Sequence, residues 1–383
     1  MSVTNGSDRK IRIGIIGASA DTWAWASAAH VPALKSLPEY ELVAVASRNQ
    51  ANADAAAKVH GIPHAYGDYL EMVRRPDLDM ICVSTSSVHH HALVMPAIEA
   101  GKHVFCEWPF GTNMQESLAM RDFARQRGVR TLVGLQTRYA PIVRYVRDLI
   151  ANGYIGKLWS VNFDRANDQT AQKSVTREYY EFLERANAGL RILVGHSLDT
   201  LAAYVGELAD LQSYCEVEMN EITLATGETV PLTHRDHILV QGRLGGGAVF
   251  SSLLKQNSPT YKPFHLEISG SKGALIITTG EDLLPAARHP GVPFELTLLG
   301  TPGHGQPFER MDVPAHYRLV PDATPAGQPV DVAHMYRHFA EALAKDEPCD
   351  TDFDHAVMRH RLLETIQDSA DAGARRTFTA QRD

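Results

Sequence analysis

Three short runs near the start of the chain are apolar almost throughout: "KIRIGIIGASA", "ELVAVASR" and "LDMICVST". Unbroken apolar runs of this length read as strands covered on both faces, the kind found in parallel sheets. Helical stretches separate them. "ANADAAAKVHG" is Ala-rich and stops at Gly61, where a glycine can take the left-handed turn that ends a helix. The order continues as helix "HHALVMPAIEAG", strand "KHVFCE", helix "MQESLAMRDFARQRG" and strand "RTLVGLQ". Strand and helix alternate through about residue 135, which predicts an α/β, doubly wound parallel sheet.

The pattern then changes. After an amphipathic helix, "APIVRYVRDLIANG", apolar and polar residues alternate with a period of two in "KLWSVNFDR", "DHILVQGRLGGGAVFSSLLK" and "FHLEISGSKGALIITTG". Glycines at 245–247 and the "GSKG" stretch fall where hairpin turns belong. This half predicts an α+β domain with a large open, mostly antiparallel sheet. Residues 281–330 are rich in Pro and Gly and read as loops with short strands. "VAHMYRHFAEALAKDEP" and "DHAVMRHRLLETIQDSADAG" predict two closing helices within 331–372. The expected organisation is a disordered polar tail at 1–10, a first domain at 11–134 and a second at 135–383.

The bulk numbers narrow the classes. With 383 residues and a formal charge of −8, the chain has no basic stripe of the kind that binds nucleic acid. No run is long enough for a membrane-spanning helix, and "MSVTNGSDRK" lacks the apolar core of a secretory signal. Cys82, Cys106, Cys215 and Cys349 are scattered without C-x-x-C spacing, so free thiols in a reduced cytoplasm and no structural zinc are expected. Most of the 18 histidines stand without a partner at ligand-like spacing and read as surface or core residues.

The first strand runs into Gly14-Ile-Ile-Gly17-Ala18-Ser19-Ala20. Glycine there permits a tight turn and close approach to a pyrophosphate, and the following helix N-terminus offers amide donors. The middle glycine of the usual G-x-G-x-x-G is Ser19, yet the place in the βαβ pattern points to a dinucleotide. The second strand ends in Ser47-Arg48, where an NAD site usually has Asp or Glu for the ribose diol. An Arg can stack on adenine or pair with a 2′-phosphate, so NAD is expected and NADP stays open.

"VSTSSVHHHALVMPAIEAGKHVFCEWP", "VGLQTRYAP" and "GHSLDTLAAYVGE" together resemble the Gfo/Idh/MocA family. The resemblance covers nearly the whole chain. It implies a nicotinamide-binding Rossmann domain, a sheet domain that holds a sugar or polyol, and a homo-oligomer, dimer or tetramer, formed through that sheet. It further implies that Ser84, Thr85, His90, Glu107 and Gln136 line the dinucleotide. Arg138 would sit in the linking strand, with His196 and Asp199 on the helix that faces the nicotinamide.

Two departures stand out. The family's E-K-P is Glu107-Trp108-Pro109 here, so the lysine that helps deprotonate a substrate hydroxyl is missing. Its D-x-G-x-H is Ile192-Leu-Val-Gly195-His196, so an Asp is missing too. His196 remains, with Asp199 one turn on to orient it. A Trp at 108 offers either a flat wall to a sugar or nicotinamide, or a packed indole beneath the cofactor. The same departures resemble the branch that holds the yeast galactose-regulon repressor and bacterial NAD-dependent glycosidases, some specific for sulfoquinovosides.

Three functions follow. The first is a redox-neutral glycoside hydrolase that oxidises C3, eliminates the aglycone, adds water and reduces; His196 would be one base and Tyr179 or Tyr180 the other. The second is an NAD(P)-dependent sugar or polyol dehydrogenase that uses His196 without the lysine. The third is a non-enzymatic dinucleotide-binding sugar sensor. Within "VNFDRANDQTAQKSVTREYYEFLERANAGLR", Arg165 and Lys173 precede the helix and are the candidates for holding an anionic sugar, since guanidinium groups grip such anions in a bidentate way. Arg177 and the charges after it read as a solvated helix face.

Overall fold

In a computed structural model, residues 9–168, 175–279, 296–303 and 305–381 are described. Most of the expected tail, all of Lys173 and much of the Pro/Gly-rich stretch at 281–330 lie outside these residues. Six strands form the first sheet: β1 (Ile11–Ile16), β2 (Tyr40–Ala46), β3 (His64–Tyr66), β4 (Met80–Val83), β5 (His103–Glu107) and β6 (Thr131–Gly134). All neighbours are parallel, in the order β3-β2-β1-β4-β5-β6. The order reverses between β1 and β4, and such a switch point opens a crevice at the carboxyl ends of the strands.

The intervening helices are α1 (Val31–Ser36), α2 (Gln50–His60), α3 (Tyr69–Val73), α4 (His90–Glu99) and α5 (Met114–Arg127). Local signals set their ends. The Asn49 side chain accepts from the Asn52 amide to start α2, and Gly61 ends it at φ 57°. Asn113 and Gly128 do the same for α5.

After α6 (Pro141–Ala151) comes a second, nine-stranded sheet. Its long strands are β7 (Leu158–Asp168), β8 (Leu208–Glu216), β11 (His237–Leu244), β12 (Val249–Lys255), β13 (Asn257–Gly270), β14 (Ala274–Thr279) and β15 (Leu296–Thr301); β16 (Glu309–Met311) and β17 (Arg376–Thr377) close its edges. Only β7 and β12 pair in parallel. The expected hairpins are present, β11–β12 and β13–β14. A separate ribbon, β9 (Glu221–Thr223) with β10 (Thr229–Pro231), packs with helix α7 (Arg177–Ala186) around Ile222, Leu224 and Val230.

Alternation puts Ile238, Val240, Phe250, Leu254, Leu266 and Ile268 on one face of the second sheet. They pack with Leu198 and Leu201 of α8 (Gly195–Val205) and with Leu362 and Ile366 of α10 (Phe353–Ala372). The same core continues into Val83, Cys106 and Val133 of the first sheet. The other closing helix, α9 (Gln328–Ala344), belongs elsewhere. Its Val332, Met335, Tyr336 and Phe339 cover Ile13, Ile15, Met80 and Phe105 on the opposite face of the first sheet. A cut at 134/135 separates the two sheets but not their cores, because a segment near the end of the chain completes the first.

Candidate active site

Gly17, Ser47–Arg48, Ser84–Thr85, Glu107 and Gln136 stand at the carboxyl ends of β1, β2, β4, β5 and β6, the edge of the sheet where the switch point opens a crevice. Gly17 is required there. Its φ is 106°, and a Cβ would lie 2.0 Å from the Ser84 carbonyl oxygen. His60 steadies the turn from behind, with Nε2 2.7 Å from the Ser19 carbonyl and 3.2 Å from Ser27 Oγ. Gly14 sits inside β1 against Met72 and Leu78, where it lets the helix approach the strand. Ala18 is buried behind the turn and Ala20 lies on its outer side. Arg48 is largely exposed and stands 3.7 Å from Glu178 of α7 across the crevice. Gln136 Oε1, Ser86 Oγ and Ser87 Oγ are buried without a hydrogen-bond partner. A glycine cradle at the switch point, with unsatisfied polar atoms beyond it, fits a dinucleotide.

Glu107 is not a free carboxylate. Trp25 Nε1 donates to its Oε1 at 2.8 Å, and His30 Nε2 lies 2.5 Å from the same oxygen. His30 in turn meets the Tyr336 hydroxyl through Nδ1 at 2.9 Å. Burial opposes the charge on His30, but Cys82 and Glu107 outweigh it and raise its pKa to about 10. Burial likewise pushes Glu107 up, and His30 and Trp25 more than reverse this, leaving it below the usual carboxylate range. Gly134 leaves room for the carboxylate: a Cβ there would meet Glu107 Oε2 at 2.2 Å.

His196 enters from the second half of the molecule, in the first turn of α8. Burial lowers its pKa to about 4, and the neighbouring Arg165 guanidinium lowers it further against Glu107 and Asp199. Its imidazole is therefore neutral near pH 7. Arg165, on β7, donates to Ser197 Oγ at 3.3 Å, so this cation stands beside the imidazole.

Trp108 is the packed indole. It is 5% exposed, donates from Nε1 to the Arg191 carbonyl at 2.7 Å and lies against the His360 ring with centroids 4.8 Å apart. A Cβ at position 195 would lie 2.5 Å from its ring, so Gly195 is what lets α8 seat on it. Trp108 thus fixes the height of the turn that carries His196.

Several expectations need correction. His90 does not line the crevice: its ring is fully buried, with Nδ1 3.2 Å from the Phe110 carbonyl and Nε2 3.0 Å from the Thr85 carbonyl. It braces the loop after β4. Asp199 does not orient His196. Its Oδ1 takes Arg138 Nη1 at 2.7 Å, His355 Nε2 at 2.6 Å and Arg359 Nε at 2.9 Å, and its carboxyl is held far below the usual range. Arg359 also grips Glu207 with both terminal nitrogens. Arg138 lies in a short 3₁₀ turn rather than a strand, and its Nη1 donates to the Asp199 carboxylate. Tyr179 and Tyr180 sit in the first turn of α7, and the Tyr180 hydroxyl donates to the Pro231 carbonyl at 2.8 Å. Arg177 pairs with Glu228, as a helix-face charge does.

His30, Trp25, His355, Arg359 and His360 were not legible as site residues. One signal existed. Arg359 interrupts the apolar face of α10, between Ala356 and Leu362–Leu363, and a fully buried Arg needs a carboxylate.

Residues 11–135 match the model of an oxidoreductase family with an NAD-binding Rossmann fold, and residues 141–279 match the C-terminal domain of Gal80p. A dehydrogenase of Aspergillus oryzae, aclE, is 30% identical over 284 residues, 70% of this chain and 76% of the relative. Levoglucosan dehydrogenase in complex with NADH and levoglucosan superposes with a TM-score of 0.80 at 20% identity, covering 97% of this chain and 100% of that one. A super-repressor mutant of Gal80p from Saccharomyces cerevisiae superposes at 0.79 and 21% identity, covering 96% and 98%. At these identities the two structures speak to the fold.

Proposed function

Because this chain belongs to the Gfo/Idh/MocA family of NAD-binding oxidoreductases, we propose that it is an NAD-dependent dehydrogenase of a polyhydroxylated, sugar-like substrate, with His196 moving the proton. The observation that carries this reading is a neutral, half-buried imidazole at the crevice, flanked by Arg165 and within the field of Glu107. Gly17, Ser84, Thr85, Glu107 and Gln136 hold the dinucleotide, which supplies the hydride acceptor or donor when bound. Ser47 and Arg48, which follow β2, would meet its adenosine end, and an Arg there leaves NADP usable as well.

In the oxidative direction His196 accepts the hydroxyl proton at a ring nitrogen; in the reductive direction it returns it. A missing lysine removes the cation that usually favours the alkoxide. Arg165 supplies one from β7 instead, fixed by Ser197, and stabilises negative charge as it develops on the substrate oxygen. Glu107 is pinned by Trp25 and His30, so it shapes the field of the site while staying ionised.

Redox-neutral glycoside hydrolysis, including that of an anionic sulfoquinovoside, begins with the same oxidation but needs a second base for the C2 proton. The Tyr180 hydroxyl is spent on Pro231. The dehydrogenase needs no second base.

One incubation separates these readings. Purified protein with NAD⁺ is given a panel of free sugars, polyols and chromogenic glycosides, and NADH and released phenol are followed together. Stoichiometric NADH from a free sugar or polyol is the expected result. Phenol release without net NADH establishes the glycosidase. Silence on both, with tight dinucleotide binding, makes the protein a sensor.

A further inference from the structure

Helix α6 places Arg144 and Arg147 one turn apart, and both line a cavity of about 510 Å³ closed by Arg138, His316 and His338. This volume lies in the range of small-molecule sites. Two carboxylates, Asp148 and Asp350, also line the cavity, and Asp350 lies within the field of Arg138. Asp148 accepts from the Tyr317 hydroxyl at 2.6 Å, and Asp350 stands 3.5 Å from His338. Among the described residues neither Arg144 nor Arg147 forms an ion pair. Arg144 is half-buried, and burial pushes its pKa down against a weak opposing pull from Glu341. His338 Nε2 is also buried here, with the Asp350 carboxylate 3.5 Å away. A guanidinium withdrawn from water without a counter-ion is costly, and a bound anion offsets that cost.

We propose that this cavity binds a small phosphoryl oxyanion, free or carried on a small metabolite, through Arg144, Arg147 and Arg138. Phosphate oxygens match the planar donor fork of arginine, and half-buried Arg144, exposed Arg147 and Arg138 line one pocket. The site is separate from the crevice but linked to it. Arg138 also holds Asp199, three residues along α8 from His196. An anion that draws on Arg138 loosens that hold and shifts the turn that carries His196. This coupling rests on the role given to His196 above; the binding itself does not.

The test is calorimetric titration of the full chain, saturated with NAD⁺ so that the dinucleotide site is filled. Inorganic phosphate is the titrant in one arm and a hexose phosphate in the other. Saturable binding that weakens at least tenfold in R144Q and in R147Q is expected, with R310Q, an exposed arginine at the edge of the second sheet, binding like the wild type. Tighter binding of the hexose phosphate identifies an esterified ligand, and equal binding identifies the free ion. R165Q retains the binding if the cavity, and not the substrate crevice, is the site. No saturable heat from either titrant, or R144Q and R147Q binding like the wild type, overturns the proposal. NAD⁺ affinity, measured on each variant, shows that the fold is intact. In the coupling arm, phosphate changes wild-type turnover and leaves R144Q turnover unchanged; equal turnover with and without phosphate overturns the link to α8.

Discussion

In the proposed reaction His196 acts through its charge state, and burial sets that state. With a pKa of about 4 instead of the ordinary 6.5, the ring stays unprotonated through mildly acidic pH. The oxidative kcat/KM is therefore flat from about pH 8 down to about pH 5.5, where an ordinary histidine base would already have lost activity. A decline centred near 6.5 contradicts the assignment. Arg165 contributes to that depression, so R165Q moves the acid limb upward and lowers kcat/KM at neutral pH. An R165Q profile that superimposes on the wild type removes Arg165 from the site. Trp108 poses the opposite question, whether restoring the family's lysine restores a catalytic group. W108K loses the bond to the Arg191 carbonyl and the contact with His360, and it buries an ammonium where Gly195 is pressed against the ring. The expected outcome is a lower Tm with no gain in turnover, read by calorimetry and NADH formation.

At the scale of elements, α8 is held from two sides. Trp108 seats its first turn, and Asp199 ties it to the 3₁₀ turn at 136–139 and to α10. D199N leaves Arg138 and Arg359 short of a buried negative charge, a loss of about 3–5 kcal/mol by the usual cost of breaking a buried pair. Denaturant unfolding measures it, and a loss under about 1 kcal/mol would mean that the network does not hold the helix. These ties explain what the sequence could and could not reveal. Apolar periodicity predicted five of the six parallel strands, missing the three-residue β3, and the β11–β12 and β13–β14 hairpins, because burial on two faces or one dictates the residue pattern locally. The glycine turn was legible because Gly17 falls where the first strand hands over to a helix, although the carbonyl that demands it, Ser84's, comes from the end of β4. Asp199 and His90 were misread because their partners arrive from distant segments, His355 and Arg359 of α10 and the Phe110 carbonyl. Tyr180 was misread because nothing in "REYYEFLERA" announces that the β9–β10 ribbon will take its hydroxyl.

For the whole molecule, buried histidines tie stability to pH. His196, His334 and His355 are lowered to about 4 and His360 to about 3, mainly by burial. In each case the unfolded chain binds protons that the folded one refuses. Their contribution is full above about pH 6.5 and lost as pH falls from there through the folded values. His30 has the opposite sign. Its pKa is raised to about 10, so its contribution is full below 6.5 and lost as pH rises through 10. The thermal midpoint should thus fall on both sides of a neutral maximum, more steeply on the acid side; a midpoint constant between pH 4 and 6.5 contradicts this. The most direct measurement of the central claim compares wild type with H196A at saturating NAD⁺, recording NADH formation from the preferred sugar or polyol and dinucleotide affinity on the same preparations. Loss of turnover by about 10²- to 10⁴-fold with NAD⁺ affinity unchanged is the predicted result. H196A turning over like the wild type would show that the proton moves elsewhere and that the site has been misassigned.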